Sequence, residues 1–274
     1  MTTIAATTID GSTSALSEHD IKTLQAELRG HAITAADGRY DDARRVWNGN
    51  IDRRPALIAR CAGAADVQQA LALARARNLL LSVRGGGHSA PGYGISEGGV
   101  VIDVSPMKGI RVDPDARTVR ADGGVLWREL DHETQAFGLA TTGGTVSNTG
   151  IAGLTLGGGL GWLMGKHGLT VDNLIEADVV TADGQLRKAN AKDHSDLFWT
   201  LRGGGGNFGI VTSFEYRLHP VTQVLGGLVL YPLDQARDVL RFYRDVCAAL
   251  PDEAEAYCGL LTSPQGVPLG ALVF

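Results

Sequence analysis

The chain has 274 residues, of which 37 are glycine and 9 proline, and its formal net charge at pH 7 is −5. Glycine is about twice as frequent as the usual share of roughly 7%, yet there is no collagen repeat and 44% of the residues are hydrophobic. The excess therefore predicts a globular protein that needs unhindered backbone at chosen places. The negative charge and the lack of basic runs argue against a nucleic-acid-binding surface.

The cysteines and the N-terminus set the expected compartment. Three cysteines, Cys61, Cys247 and Cys258, are too few and too scattered to predict a disulfide framework or a metal site, so we expect buried thiols. The first residues lack a basic region followed by an apolar one, and no run of 18 apolar residues occurs. We therefore expect a cytoplasmic protein without a membrane partner.

The first half of the chain alternates strands and helices. Residues 1–16 are small and polar and are expected to be disordered. Ser17 and Asp20 then form the pattern of a capping box, which begins a helix that Gly30 ends. The apolar spacing next predicts a strand Ala56–Cys61, a helix Asp66–Arg77, strands Leu79–Val83, Val100–Asp103, Ile110–Asp113 and Thr118–Ala121, and a helix Val125–Phe137.

The second half changes composition near Pro220. Before it, the pattern predicts a helix-like stretch Trp162–His167, strands Asn173–Thr181 and Gln185–Ala189, a helix Ser195–Leu201 and a strand Ile210–Leu218. After it, the pattern predicts a strand Leu225–Leu230, a helix begun by Asp234 and ended by Pro251, and strands Tyr257–Leu261 and Leu269–Phe274. Because an open apolar edge invites aggregation, we expect the chain to be cut short inside a second α+β domain.

Three glycine clusters lie where strands end or where helices and strands begin: Arg84–Ser89, Gly157–Gly161 and Gly203–Gly206. Successive unhindered N–H groups in such places form a concavity for anionic oxygens. Together they suggest a long ligand with a pyrophosphate, although each cluster alone is also typical of a turn. A Rossmann nucleotide site is disfavoured, since Pro91 blocks the helix that should follow the first cluster.

His88 is the unusual member of the first cluster. One interpretation is a loop imidazole that hydrogen-bonds its neighbours. The other is a nucleophilic imidazole fixed to the cofactor itself. The residues of this cluster alone leave both open.

Further segments follow the Arg84–Ser89 run in chain order. They are Val100–Asp103, Ala121–Gly124, Gly143–Val146, Gly153–Gly161, Gly168–Asn173, Asp196–Trp199, Arg202–Gly206 and Asn207–Val211. In this order and spacing, across roughly residues 40–220, the chain resembles the FAD-linked oxidases of the berberine-bridge-enzyme-like family. These belong to the wider group of flavoproteins with the vanillyl-alcohol-oxidase or PCMH-type FAD-binding fold.

The resemblance implies an α+β fold with three parts. These are an N-terminal extension and helix over residues 1–39, a PCMH-type FAD-binding domain of two α+β subdomains over residues 40–220, and an incomplete α+β substrate domain over residues 221–274. It also implies FAD joined through its 8α-methyl group to a ring nitrogen of His88. The cofactor-binding residues implied are Arg84, Gly85, Gly86, Gly87, His88, Ser89, Gly144, Thr145, Val146, Ser147, Gly150, Gly153, Leu154, Gly157, Gly158, Gly159, Gly161, Ile210 and Val211.

Two positions depart from the pattern of many relatives. A second flavin link through cysteine is not expected, since that position is Gly143. A histidine common in the family is replaced by Leu154, which changes how charge on reduced flavin is balanced. In the family the catalytic base and much of the substrate pocket come from chain beyond Phe274, so no catalytic residue and no metal ligand is predicted; Tyr93 and Asp172 are expected to be structural.

The activity implied is oxidation of an alcohol, sugar or amine by hydride transfer to covalently bound FAD, with O2 as the acceptor and H2O2 as a product. The expected partners are therefore a small-molecule substrate and O2. Two alternatives remain: a truncated protein that binds FAD without turnover, and a dehydrogenase that uses another acceptor.

Overall fold

The computed structural model describes residues 3–273, which form strands and helices in a mixed α+β arrangement. The strands are β1 (Thr3–Thr7), β2 (Thr13–Ser17), β3 (His31–Ile33), β4 (Leu57–Arg60), β5 (Leu81–Arg84), β6 (Val100–Asp103), β7 (Ile110–Asp113), β8 (Thr118–Asp122), β9 (Leu139–Ala140), β10 (Leu174–Val180), β11 (Leu186–Asn190), β12 (Ile210–Arg217), β13 (His219–Pro220), β14 (Leu228–Pro232), β15 (Tyr257–Thr262) and β16 (Pro268–Val273). The helices are α1 (Glu18–Glu27), α2 (Tyr40–Arg44), α3 (Ala64–Ala76), α4 (Trp127–Gln135), α5 (Ile151–Leu156), α6 (Met164–His167), α7 (Ser195–Leu201) and α8 (Ala236–Cys247). The predicted α+β class is confirmed.

The first sheet has the strand order β3-β4-β6-β5, with β6 parallel to both β4 and β5. The crossover from β4 to β5 contains α3, as a parallel connection requires. All four residues of β6 are buried, which explains why this strand is an unbroken apolar run before Asp103. The sheet thereby holds the C-terminal end of β5, where the first glycine cluster begins.

The second sheet has the order β11-β10-β12-β8-β7 and is antiparallel throughout. Its core contains the fully buried side chains of Trp127, Phe214 and Tyr216. Ile210, the first residue of the central strand β12, packs instead in the core of the first sheet. The start of β12 therefore lies where the two sheets meet.

The third sheet has the order β14-β16-β15 and packs against α8. Val239 of α8 and Leu272 of β16 are buried. Much of the remaining apolar surface is exposed, including Leu228, Leu240 and Leu260. This sheet therefore buries only a small core.

The prediction of disorder for residues 1–16 is wrong over the described part. β1 and β2 pair as an antiparallel hairpin, and Ala6 and Leu16 are buried in the core of the first sheet. Burial of these two side chains outweighs the small and polar composition of the segment. Met1 and Thr2 lie outside the described residues.

Most other predicted elements are confirmed, with shifts at their ends. β14 begins later than predicted, and α8 is preceded by a 3₁₀ turn Leu233–Gln235, so Asp234 does not cap it. Cys61 is buried as expected, but Cys247 of α8 and Cys258 of β15 are partly exposed, since the third sheet and its helix bury only a small core. Phe274 lies outside the described residues, and the domain boundaries at residues 39 and 220 stay a prediction.

Candidate functional site

The loop Arg84–Ser89 follows β5 at the C-terminal end of a parallel strand and is half-buried. Within residues 3–273, the N–H groups of Gly85–Ser89 find no hydrogen-bond acceptor. Three of its carbonyl groups, those of Arg84, Gly87 and Ser89, accept hydrogen bonds from backbone N–H groups of other residues. Five successive donors are thus left for a ligand, and anionic oxygens are the groups that such a run binds best.

Two glycines bring distant loops into direct backbone contact. A Cβ on Gly86 would lie 2.4 Å from the nitrogen of Gly150, and a Cβ on Gly150 would lie 2.5 Å from the nitrogen of Gly86. Gly150 directly precedes α5. The loop Arg84–Ser89 is therefore locked against the segment that leads into α5, which contains other predicted cofactor residues.

The start of β12 also lies close to the loop Arg84–Ser89, with Gly123 between them. A Cβ on Gly85 would lie 3.3 Å from the carbonyl oxygen of Gly123, and one on Gly123 would lie 2.6 Å from the carbonyl oxygen of Val211. The Gly123 N–H also donates to the Thr212 carbonyl at 2.9 Å. Val211, one of the predicted cofactor-binding residues, is thus separated from the glycine loop by a single residue, Gly123.

His88 is held from two sides. Its ring is hydrogen-bonded to the backbone of Asn148, and it stacks on the Trp47 ring with centroids 5.5 Å apart and planes at 19°. Burial lowers the pKa of the imidazole, and the hydrogen bond to Asn148 opposes this shift. A lowered pKa favours the neutral ring, in which one of the two nitrogens carries a lone pair.

Arg84 supplies positive charge behind the loop. Its guanidinium donates to the carbonyl of Ala43. Its Nε is buried and has no hydrogen-bond partner among residues 3–273, which normally costs stability unless a ligand completes the site. The hydroxyl of Ser89 accepts a hydrogen bond from the Tyr93 N–H at 3.1 Å.

The segment from Gly144 to Gly161 forms the second wall. Residues 145–148 are exposed, Leu154 is half-buried, and the helix α5 of this segment was not predicted. Gly157 ends α5, so the second glycine cluster lies between α5 and α6 and does not open a long helix. The helix-like stretch predicted over Trp162–His167 is confirmed as α6, which has only four residues.

The remaining predicted positions occupy ordinary contacts. Gly203–Gly206 lies in the turn between α7 and β12. The Asp172 carboxylate accepts from the Leu169 N–H at 2.9 Å and pairs with Arg202 at 3.2 Å, while the side chain of Tyr93 is 75% exposed. Within residues 3–273 no group of three or more His, Cys, Asp or Glu side chains could hold a metal ion.

A cavity of about 1220 Å³ lies beside the second wall and was not predicted. It is lined by α4, by the Thr141–Gly144 and Trp162–His167 segments, by residues 220–227 and by residues 252–255. Next to it, the rings of His167 and His219 stack with centroids 3.9 Å apart, and His219 Nε2 donates to Asn173 Oδ1 at 2.6 Å. The sequence carried no signal for this pair, since the two residues come from distant segments.

Asp131 of α4 lines the cavity, and desolvation by the surrounding protein raises the pKa of its carboxyl to about 6. The ordinary value is about 3.8, so the folded chain binds this proton more tightly than the unfolded chain. Stability contributed by the neutral acid is present below about pH 4 and is lost as the pH rises through about 6. The side chain is exposed to solvent, which weakens the effect, so Asp131→Asn should unfold at a slightly higher temperature than the parent at pH 7.5 and at the same temperature at pH 3.5.

Thermal unfolding followed by circular dichroism at the two pH values tests this expectation. Glu133→Gln, an exposed change on the same helix, is the matched control and should leave the difference between the two pH values unchanged. A variant Asp131→Asn that unfolds like the parent at both pH values contradicts the assignment.

Comparison with known proteins also indicates a site for FAD. Residues 55–190 match the family model described as FAD binding domain. The chain is 39% identical over 228 residues to the FAD-linked oxidoreductase pgmH of Aspergillus terreus, covering 82% of this chain and 46% of that protein. It is 38% identical over 205 residues to the (R)-6-hydroxynicotine oxidase of Paenarthrobacter nicotinovorans, covering 74% of this chain and 45% of that protein.

Solved structures agree with the sequence comparison. The 6-hydroxy-D-nicotine oxidase from Arthrobacter nicotinovorans superposes with a TM-score of 0.86 at 32% identity, over 90% of this chain and 55% of that one. A carbohydrate oxidase from Microdochium nivale gives a TM-score of 0.80 at 25% identity, over 93% of this chain and 55% of that one. The chain thus spans about half the length of the relatives that it matches.

Within residues 3–273, no helix has both the length and the apolar character needed to cross a membrane. The matching region contains β4 to β11, and thus both the loop Arg84–Ser89 and the segment Gly144–Gly161. The predicted PCMH-type fold and the resemblance to berberine-bridge-enzyme-like proteins are confirmed by these structures. Residues 55–190 thus match the FAD binding domain, and the chain is similar to FAD-linked oxidoreductases that are about twice its length.

Proposed function

We propose that the chain is the FAD-holding part of an oxidase that takes a hydride from an alcohol, sugar or amine, with FAD attached to His88 and O2 as the acceptor. The observation that carries the proposal is the run of five free N–H groups at Gly85–Ser89 beside the neutral imidazole of His88. When bound, FAD supplies the hydride acceptor and passes the electrons on to O2, which gives H2O2.

The residues present fit an extended anionic cofactor. The free N–H groups of Gly85–Ser89 and the orphaned Nε of Arg84 would bind pyrophosphate oxygens. The backbone of Ile210 and Val211 would meet the adenosine end. The flavin end would be held by Gly144, Thr145, Val146, Ser147, Gly150, Gly153, Leu154, Gly157, Gly158, Gly159 and Gly161.

His88 fits a single covalent link. In the neutral imidazole one ring nitrogen keeps its lone pair, which is the atom that would form the bond to FAD. At the place of a second link stands Gly143, which has no nucleophile. The lowered pKa keeps the ring neutral, and therefore reactive, to a pH below the ordinary histidine value of about 6.5.

The activities named for relatives support a substrate class. They include a 6-hydroxynicotine oxidase, which acts on an amine, a carbohydrate oxidase and a xylooligosaccharide oxidase. An amine or a sugar is therefore the substrate class that we propose. The catalytic base is not assigned to a residue of this chain.

Flavin fluorescence of the denatured protein in a gel tests the covalent link. The parent should fluoresce, His88→Ala should be dark, and His132→Ala, an exposed change on α4, should fluoresce like the parent. A dark band from flavin-replete parent protein excludes the link to His88 while leaving FAD binding intact.

Two alternatives are an FAD-binding protein without turnover and a dehydrogenase that uses another acceptor. The second is favoured by a structural relative at 25% identity, a grass pollen allergen with glucose dehydrogenase activity. Release of H2O2 over a panel of amines, alcohols and sugars supports the oxidase. Bound flavin with no turnover supports the first alternative, and anaerobic dye reduction without H2O2 supports the second.

Gly157→Val should weaken FAD retention without unfolding the chain. A Cβ on Gly157 would lie 3.4 Å from the Gly153 carbonyl oxygen, an ordinary contact, and the residue is exposed. A side chain here would instead obstruct the approach of the cofactor to the backbone. Flavin absorbance per protein after dialysis measures retention.

Gly259→Val is the control, because a Cβ at Gly259 meets nothing within 4 Å and the residue lies in β15, in the third sheet. It should retain flavin like the parent. Equal flavin content in Gly157→Val and Gly259→Val counts against the proposed role of the Gly157–Gly161 cluster.

A further inference from the structure

Trp47 is an aromatic residue at the surface with a specific neighbour. Its side chain is 64% exposed, yet its ring lies nearly parallel to that of His88, at 19° and 5.5 Å between centroids. Exposure alone does not distinguish Trp47, since Trp199 is 76% exposed. What distinguishes it is the stacking on the proposed attachment residue.

The segment that carries Trp47 is fastened to the glycine loop at three points. The guanidinium of Arg84 donates to the carbonyl of Ala43. The N–H of Trp47 donates to the carbonyl of Gly87 at 3.0 Å. The side-chain amide of Asn48 donates to the carbonyl of Ala90 at 2.8 Å.

The same segment is anchored in the protein interior. Ala43 of α2 is buried with Tyr40 in a small apolar cluster that includes Ile58 and Ile95, and Val46 packs against this cluster. The backbone of Trp47 is thus fixed both to the core and to the loop, so the indole meets His88 from a defined direction. On the other side, the Asn148 backbone holds one ring nitrogen.

We propose that Trp47 is a positioning residue for His88, which holds the plane of the imidazole so that its free nitrogen faces the flavin and thereby sets the rate of covalent FAD attachment. This inference rests on the proposed function. Attachment joins the free ring nitrogen to the 8α carbon of FAD. One hydrogen is lost from the carbon and one from the imidazole, both as protons, and the two electrons pass through the flavin to O2, which becomes H2O2.

The indole contributes in two ways. Stacking restricts rotation of the ring about its bond to Cβ, and loss of a stacked aromatic pair is expected to slow attachment about 3- to 10-fold. The indole also shields the imidazole from water, and burial is the largest cause of the lowered pKa of His88. Removing the indole should therefore move the pH midpoint of attachment upward, toward the ordinary value of about 6.5.

The test measures attachment as a time course. Parent protein, Trp47→Ala, Trp47→Phe and Trp199→Ala are produced in riboflavin-starved cells, mixed with FAD, quenched in denaturant and read by in-gel flavin fluorescence at several pH values. Trp199 is a matched control because it is 76% exposed and lies on α7. Non-covalent FAD affinity is measured separately with His88→Ala and His88→Ala/Trp47→Ala.

The expected result is a parent-like rate for Trp47→Phe and Trp199→Ala, and a rate about 3- to 10-fold lower with a raised pH midpoint for Trp47→Ala. The affinity of the double variant should stay within about twofold of His88→Ala. A parent-like rate in Trp47→Ala overturns the inference, as does a Trp47→Phe variant as slow as Trp47→Ala, or a large loss of FAD affinity. A parent that never attaches FAD overturns the covalent link itself, and the inference with it.

Discussion

Gly86→Ala is expected to lower the free energy of unfolding by about 3 kcal/mol and to remove FAD binding. The added Cβ would lie 2.4 Å from the nitrogen and 2.6 Å from the Cα of Gly150. Both are backbone atoms, so no side chain can rotate to make room. The loop must move away from the segment before α5, which separates the Gly85–Ser89 donors from the second wall of the site. Urea unfolding and flavin content after purification measure the two effects.

Gly153→Ala serves as the comparison for stability. It is three residues after Gly150, within α5, and a Cβ there meets nothing within 4 Å. Because alanine favours a helix over glycine by up to about 1 kcal/mol, this variant should be as stable as the parent or more so. If Gly86→Ala keeps both the unfolding midpoint and the flavin content of the parent, the close contact between the two loops is not required.

The position of the glycine loop could be predicted from the sequence, because the apolar run Leu79–Val83 predicts a strand and glycines follow it. The reason why residue 86 is a glycine could not be predicted, because its neighbour Gly150 comes from a distant part of the chain. We expected glycine there so that backbone could approach a ligand, and the structure shows that it first lets backbone approach backbone.

Elements with clear periodicity were predicted within a residue or two, and the failures have identifiable causes. β6, β7 and α7 have the predicted bounds. α5 was missed because its sequence contains glycine and threonine, which disfavour a helix by local propensity, yet Ile151, Thr155 and Leu156 are buried against the second sheet. In α5, as in β1 and β2, burial of side chains in the core outweighs the local preference of the sequence.

The functional site was predicted through motifs, while its supporting residues were not. Arg84 and His88 stand out because they flank a run of three glycines, but nothing near Trp47 marks it as a neighbour of His88. The same holds for the contact between His88 and Asn148, which depends on how two loops meet. Contacts between loops are set by the packing of the sheets below them, and no local pattern encodes that packing.

Asp66→Ala is the second large effect expected. The sequence predicts Asp66 only as the start of a helix, but its side chain is 4% exposed and accepts three backbone hydrogen bonds. The donors are the N–H groups of Arg29 at 3.0 Å, Gly30 at 2.9 Å and Ala62 at 2.8 Å. Losing the carboxylate leaves three donors unpaired, two of which join the chain after α1 to α3. We expect the free energy of unfolding to fall by about 4 kcal/mol, since each unpaired group costs roughly 1–3 kcal/mol.

The variant Asp66→Asn separates the loss of hydrogen-bond acceptors from the loss of side-chain volume. Asparagine keeps one acceptor oxygen of the same size and place, so it should restore about half of the loss, when both variants are unfolded in urea beside the parent. Equal losses for the two variants would show that the charge, and not the number of acceptors, matters most. A loss below about 1 kcal/mol for Asp66→Ala would contradict the contacts, because a single neutral hydrogen bond is worth that much. The first sheet carries β5 and hence the glycine loop, so flavin attachment in Asp66→Ala should fail at the urea concentration where this sheet unfolds and proceed normally below it.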